Sequence, residues 1–146
     1  MNAVAGGVPI EVLLVEDSAD DAALTRRALD QGKVRNRVHH VTSGVEALAR
    51  LRRQGRFADA PPPDLILLDL NLPGMDGREL LRIIKADERL RHIPVVVVTG
   101  SEVDADVLSS YQQHANAYVK KPIATKEFLE AVNSIEQFWL QIVRLP

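Results

Sequence analysis

The sequence predicts a single α/β domain built on a parallel sheet, and three observations lead there. Five short apolar runs, at residues 10–15, 34–41, 65–68, 95–99 and 117–119, alternate with longer stretches whose apolar residues recur at helical spacing. The third run, Leu65-Ile66-Leu67-Leu68, is aliphatic at every position between Pro61-Pro62-Pro63 and Pro73-Gly74, the pattern of a strand buried on both faces. Strand followed by helix, repeated, is what parallel neighbours require, since they are joined by right-handed crossovers. At 146 residues with 46% apolar content the chain fills one core, and two full domains would not fit.

Each element has its own justification. Ile10-Glu11-Val12-Leu13-Leu14-Val15 is a buried strand that ends in the acidic loop Glu16-Asp17-Ser18-Ala19-Asp20-Asp21. Ser18 caps a helix with Ala22, Leu24, Ala28 and Leu29 on one side, Gly32 closes it, and Asp20 and Asp21 suit its positive end. Residues 34–41 form a weaker strand, with Val38 and Val41 its best positions, placed at a sheet edge because Arg35, Arg37, His39 and His40 crowd it. Ser43-Gly44 leads into a helix over residues 45–53 that turns Val45, Leu48, Ala49 and Leu51 inward. After the central strand, Asp76-Gly77 opens a helix burying Leu80, Leu81, Ile83 and Ile84 and fading by residues 87–91. Pro94 introduces Val95-Val96-Val97-Val98-Thr99, too β-branched and too short to prefer helix. A polar helix at 103–114, a last strand Ala117-Tyr118-Val119 and a helix at 125–143 complete the chain. Residues 1–9 read as a flexible lead, 10–143 as the domain and 144–146 as a short tail, with no output domain attached.

Composition excludes several functions. With 18 basic and 20 acidic residues the net charge is −2, which gives no general attraction to nucleic acid or anionic membrane. Half of the lysines and arginines lie between Arg26 and Arg56, but no aromatic residue is interleaved there to stack bases, so the stretch reads as a solvated face. Cysteine is absent, so disulfides and thiolate metal sites are excluded and a reducing cytoplasm fits. The first residues lack the charged and apolar regions of a signal peptide, and no run approaches the roughly 20 apolar residues of a membrane span.

The chemistry lies in what ends each strand. Glu16-Asp17 follows the first, Asp69 the third, Thr99 the fourth and Lys121 the fifth. Singly, each has an ordinary explanation: a helix cap, a common strand former, a solvated lysine. Together they line one rim, where open parallel sheets keep their sites. Three carboxylates brought together repel, and hard oxygen donors with room for water suit Mg²⁺. A carboxylate beside Mg²⁺ can act as a nucleophile toward phosphorus, while the Lys121 ammonium and the Thr99 hydroxyl steady the oxygens of the transferring group.

In these ordered motifs the chain resembles the receiver domain of two-component response regulators over residues 11–142, nearly its whole length. The resemblance implies a flavodoxin-like, doubly wound (βα)5 fold with strand order 2-1-3-4-5. It implies that Asp69 is the phosphoacceptor, taking a phosphoryl group from a phosphohistidine on a sensor histidine kinase and losing it by slow autodephosphorylation rather than by conventional turnover. Asp17 then binds Mg²⁺ (or Mn²⁺) directly and Glu16 through water, with Asp69 and the backbone carbonyl of Asn71 completing the protein ligands. Thr99 corresponds to the switch hydroxyl, Lys121, immediately before Pro122, to the family's lysine, and Tyr118 to the switch aromatic. Asn71 and Ser101 occupy positions that tune how fast water removes the phosphoryl group. The Asn71-Leu72-Pro73-Gly74 loop, the insertion at 57–63 and an apolar ending with Phe138, Trp139 and Leu145 look like the stand-alone regulators paired with bacterial phytochromes, and the ending suggests a partner or homodimer surface.

Three other readings compete. A haloacid-dehalogenase-like phosphatase also uses an aspartyl nucleophile but wants a second Asp two positions on, where this chain has Asn71. A flavodoxin-like flavin binder needs a phosphate loop rich in Ser, Thr and Gly after the first strand, whereas residues 16–21 would repel phosphate. A degenerate receiver acting only as an adaptor would not need the complete set of site residues.

Overall fold

The structure, a computed structural model, describes residues 9–30, 35–99 and 117–120 together with Lys126; at residues 99 and 117–120 the description is of the backbone. Residues 1–8 of the expected lead, Gly32, the helices at 103–114 and 125–143 apart from Lys126, and the tail lie outside the described residues. Five strands form one parallel sheet: β1 (Ile10–Val15), β2 (Asn36–Val41), β3 (Leu65–Asp69), β4 (Val95–Thr99) and β5 (Ala117–Lys120). Their order is β2-β1-β3-β4-β5, the flavodoxin-like arrangement. The described helices are α1 (Ala19–Asp30), α2 (Gly44–Leu51) and α3 (Gly77–Ala86), with a short 3-10 turn at Gly55–Phe57 leading into the insertion at 57–63.

β3 is central because its sequence allows nothing else. All five of its residues are buried, and an aliphatic side chain removed from water on either face contributes about 2 kcal/mol. On one face Leu13, Val15, Ile66, Leu68, Val95 and Val97 join α2 and α3 in a single core through Ala47, Leu48, Leu51, Leu80, Leu81 and Ile84. The alternate strand residues Val12, Leu14, Leu65, Leu67 and Val96, also buried, point to the other side, as the two-residue period of a strand requires. β2 keeps an intermediate or exposed pattern up to Val41, as an edge strand does.

Helix boundaries follow their caps. Ser18 Oγ accepts the Asp21 N–H at 3.2 Å, Ser43 Oγ accepts that of Glu46 at 3.2 Å, and Asp76 accepts that of Arg78 at 2.9 Å. α2 stops at Leu51, two residues before the expected end, because Arg53 takes a left-handed φ of 55°. Two expected core residues face solvent instead: Leu24 is 49% exposed and Val45 66%. α1 buries Ala22, Thr25, Ala28 and Leu29, and α2 buries Gly44, Ala47, Leu48 and Leu51, so in each helix the three-and-four spacing selects a smaller neighbour over the larger side chain. Ala49 is only half-buried and Ile83 packs at the margin of the core. β5 extends one residue beyond expectation, to Lys120. Among the described residues no helix is long and apolar enough to cross a membrane.

Candidate metal and phosphoacceptor site

The strand order reverses at β1, with β2 on one side and β3 on the other, and the crevice beyond the carboxyl ends of β1 and β3 is where such sheets bind ligands. The register Val15 to Leu68 brings the residues after each strand to the same level. There Glu16, Asp17 and Asp69 meet, each offering a carboxylate oxygen, and these oxygens lie within 4.8 Å of one another. Glu16 and Asp69 are buried at 2% and 3% exposure, while Asp17 faces solvent.

Burying a carboxylate is expensive unless it is hydrogen-bonded, and here the main chain does that. The Ser18 N–H donates to Glu16 Oε2 at 3.2 Å, and the Asn71 N–H donates to Asp69 Oδ1 at 3.0 Å. Glu16 is also held through its backbone: its N–H donates to the Val41 carbonyl at 3.0 Å, and His40 Nε2 lies 2.6 Å from its carbonyl oxygen. In the sequence His40 is only one of several polar residues crowding an edge strand. Its contact depends on β1–β2 register, which no local signal in the chain reveals.

The turn after Asp69 is packed backbone on backbone. The Gly77 N–H donates to the Leu70 carbonyl at 3.0 Å, and a Cβ at Gly77 would lie 2.5 Å from Leu70 Cα and 2.6 Å from the Asp69 carbonyl oxygen. Gly74 supplies a left-handed φ of 75° in the same loop. Met75 from this loop rests on α2, where a Cβ at Gly44 would approach its side chain to 3.1 Å.

Of the other expected site residues, Thr99 ends β4, one step beyond the Asp69 to Val98 pair, and it is in register with Lys120 of β5. Tyr118 pairs with Val97. Asn71 is exposed beside Asp69. Ser101, Lys121, Phe138, Trp139 and Leu145 lie outside the described residues.

Three carboxylates at this range, all hard oxygen donors with two of them oriented by N–H groups, fit a divalent cation, whose charge would offset their mutual repulsion. The profile of the response regulator receiver domain matches residues 12–133. The chain belongs to the response regulator receiver family. Among its relatives is response regulator Rcp1 of Synechocystis sp., 44% identical over 138 residues, 94% of each protein. A structure of the Mn²⁺-bound form of response regulator Rcp1 superposes with a TM-score of 0.76 at 43% identity, over 94% of this chain and 99% of that one. The phosphorylated cyanobacterial phytochrome response regulator RcpA gives 0.78 at 44% identity, covering 95% of this chain and 99% of its own. The bacteriophytochrome response regulator RtBRR gives 0.79 at 41% identity, covering 86% and 77%. The receiver family thus accounts for both the sheet order and the acidic crevice, and RcpA and RtBRR among the solved relatives are phytochrome response regulators.

Proposed function

We propose that this receiver accepts a phosphoryl group on Asp69 from a phosphohistidine of a sensor histidine kinase, of the bacteriophytochrome type, and signals through phosphorylation-dependent protein contacts in the cytoplasm. The observation that carries the reading is the buried Asp69 at the end of β3 with oxygens of Glu16 and Asp17 within 4.8 Å. Glu16, Asp17 and Asp69, with the Asn71 carbonyl, would hold Mg²⁺. When bound, such an ion supplies positive charge to the acids and to the phosphoryl oxygens.

The chain's own groups do the rest. The Asn71 N–H holds one oxygen of Asp69 at 3.0 Å and so helps orient the carboxylate that attacks. As the bond from Asp69 to phosphorus forms, the P–N bond of the phosphohistidine breaks and the imidazole departs. Lys121, directly after the strand that pairs with β4, and Thr99 are assigned to the phosphoryl oxygens, Tyr118 to the switch that follows, and Asn71 and Ser101 to the control of water attack. Such a step biases an equilibrium between two arrangements only as far as its contacts differ between them. Homology to phytochrome-associated regulators supports the choice of kinase, and the apolar ending with Phe138, Trp139 and Leu145 supports a homodimer.

Acetyl phosphate, or a bacteriophytochrome kinase charged with ATP, each with Mg²⁺, is expected to label the wild type and not Asp69→Asn. Equal labelling of both would remove the assignment of Asp69, and steady turnover of a small phosphate ester would favour a phosphatase. Solution mass of the same samples before and after labelling tests the homodimer, which a wild type monomeric in both states would rule out.

A further inference from the structure

We infer that His40 is a positioning residue for the acidic pair Glu16 and Asp17, holding the backbone from which both carboxylates enter the crevice. This rests on the cation reading above. The β1–β2 ladder reaches its end here: Val15 pairs with Val41, the Glu16 N–H donates to the Val41 carbonyl at 3.0 Å, and β2 then gives way to the turn that caps α2 with Ser43. Just beyond the last paired residues, the Glu16 carbonyl is met by a side chain. His40 Nε2 stands 2.6 Å from that oxygen, and since a carbonyl can only accept, Nε2 carries the hydrogen.

The consequence is geometric. Glu16 is gripped at its N–H by Val41, at its carbonyl by His40 and at Oε2 by the Ser18 N–H, so its side chain and the start of the acidic loop have little freedom. Asp17 follows at once and is exposed, so where its carboxylate stands depends on how firmly the preceding peptide is held. A histidine that touches no metal oxygen thereby sets the spacing of two of the three acids that gather within 4.8 Å. Removing a group that orients a metal ligand typically costs about ten- to a hundredfold in metal affinity.

The test is direct Mn²⁺ binding, read by the EPR signal of the free ion, on the full chain as wild type, His40→Met, His40→Gln and Asp17→Asn. Gln places an N–H donor near the position of Nε2, whereas Met is of similar length and has none. His40→Met is expected to weaken binding roughly tenfold and His40→Gln to stay within about threefold of wild type, in the range for groups that orient metal ligands. A merely structural histidine would lower the urea midpoint of both variants and leave Mn²⁺ affinity alone, and that result overturns the inference. So does a Gln variant as weak as Met. Should the variants fail to fold, the ¹⁵N-histidine spectrum of the wild type decides: a solvent-protected proton on His40 Nε2 supports the contact, and its absence overturns it. A wild type that binds no tighter than Asp17→Asn removes the cation reading itself, whereas a wild type that discriminates and a Met variant equal to it removes only the role of His40.

Discussion

Acids gather at both ends of β1 and β3, and the two gatherings are handled differently. At the amino end Glu11 and Asp64 are tied together, the Glu11 N–H donating to Asp64 Oδ2 at 2.8 Å and the Asp64 N–H to the Glu11 carbonyl at 2.7 Å. β2 supplies further partners for Glu11: Arg37 Nη1 lies 3.7 Å from Oε2 and His39 Nε2 2.6 Å from Oε1. At the carboxyl end three acids approach within 4.8 Å, and the donors that orient Glu16 and Asp69 include main-chain N–H groups, which fix direction without supplying a unit positive charge. The first is a hydrogen-bonded joint in the sheet. The second brings three carboxylate oxygens together in an arrangement that fits a divalent cation.

The largest effect is expected from Gly77, because the carboxyl end depends on close approach of bare backbone. In Gly77→Ala the new methyl would meet Leu70 Cα at 2.5 Å and the Asp69 carbonyl at 2.6 Å, neither of which is a flexible side chain that can swing away. A loss of about 3 kcal/mol in urea unfolding is expected, the upper part of the usual range for overpacking, with slower labelling of Asp69 as its strand end shifts. Unchanged stability would mean that the turn has slack and that the positions of Asp69 and Leu70 are less constrained than their packing indicates.

A matched pair of neutralising substitutions sets the two ends against each other. Asp17→Asn removes one of three mutually repelling charges and is expected to raise metal-free stability by about 1 kcal/mol, the size of a unit-charge repulsion across ~5 Å in a water-like dielectric. It should also abolish the rise in urea midpoint expected of the wild type in millimolar Mg²⁺. Glu11→Gln, which gives up the ion pair with Arg37 and alters the contact with His39, should instead lose about 1 kcal/mol and leave the response to Mg²⁺ unchanged. Shifts of the same sign in the two variants would erase the distinction between the ends.

Much of the carboxyl end was legible in the sequence because β3 is an unbroken aliphatic run that stops at Asp69, and the acids after β1 stop the aliphatic run Val12-Leu13-Leu14-Val15. A strand buried on both faces announces itself, and so does the charge that ends it. The amino-end joint was not legible, since Glu11, Arg37, His39 and Asp64 come from three segments and look singly like surface residues. His40 was opaque for the same reason. The errors at Leu24 and Val45 have another source: reading by size favours the largest apolar residue, while helix phase is set by the whole face, and Thr25 and Ala47 lie on it. Gly44 could not be recognised as a core position, because what it makes room for is Met75, some thirty residues on in the sequence.

The smallest expected effect concerns Asp64, and it tests whether the amino end is fully neutralised. Burial pushes its carboxyl above the ordinary value of 3.8, the hydrogen bond from the Glu11 N–H pulls it back, and the neighbouring Glu11 charge raises it again. A folded state that holds this proton more tightly than the unfolded chain loses stability as pH rises from about 3.8 through the folded pKa, and regains it as pH falls back. His39 and Arg37 contact Glu11, so they act on Asp64 only through it. In Asp64→Asn the amide oxygen can still accept the Glu11 N–H while the ionisation is gone. The difference in melting temperature, variant minus wild type, should therefore be more positive at pH 7 than at pH 3.5. A difference independent of pH, or larger in acid, would mean that Arg37 and His39 compensate the whole joint and that Asp64 ionises there without cost.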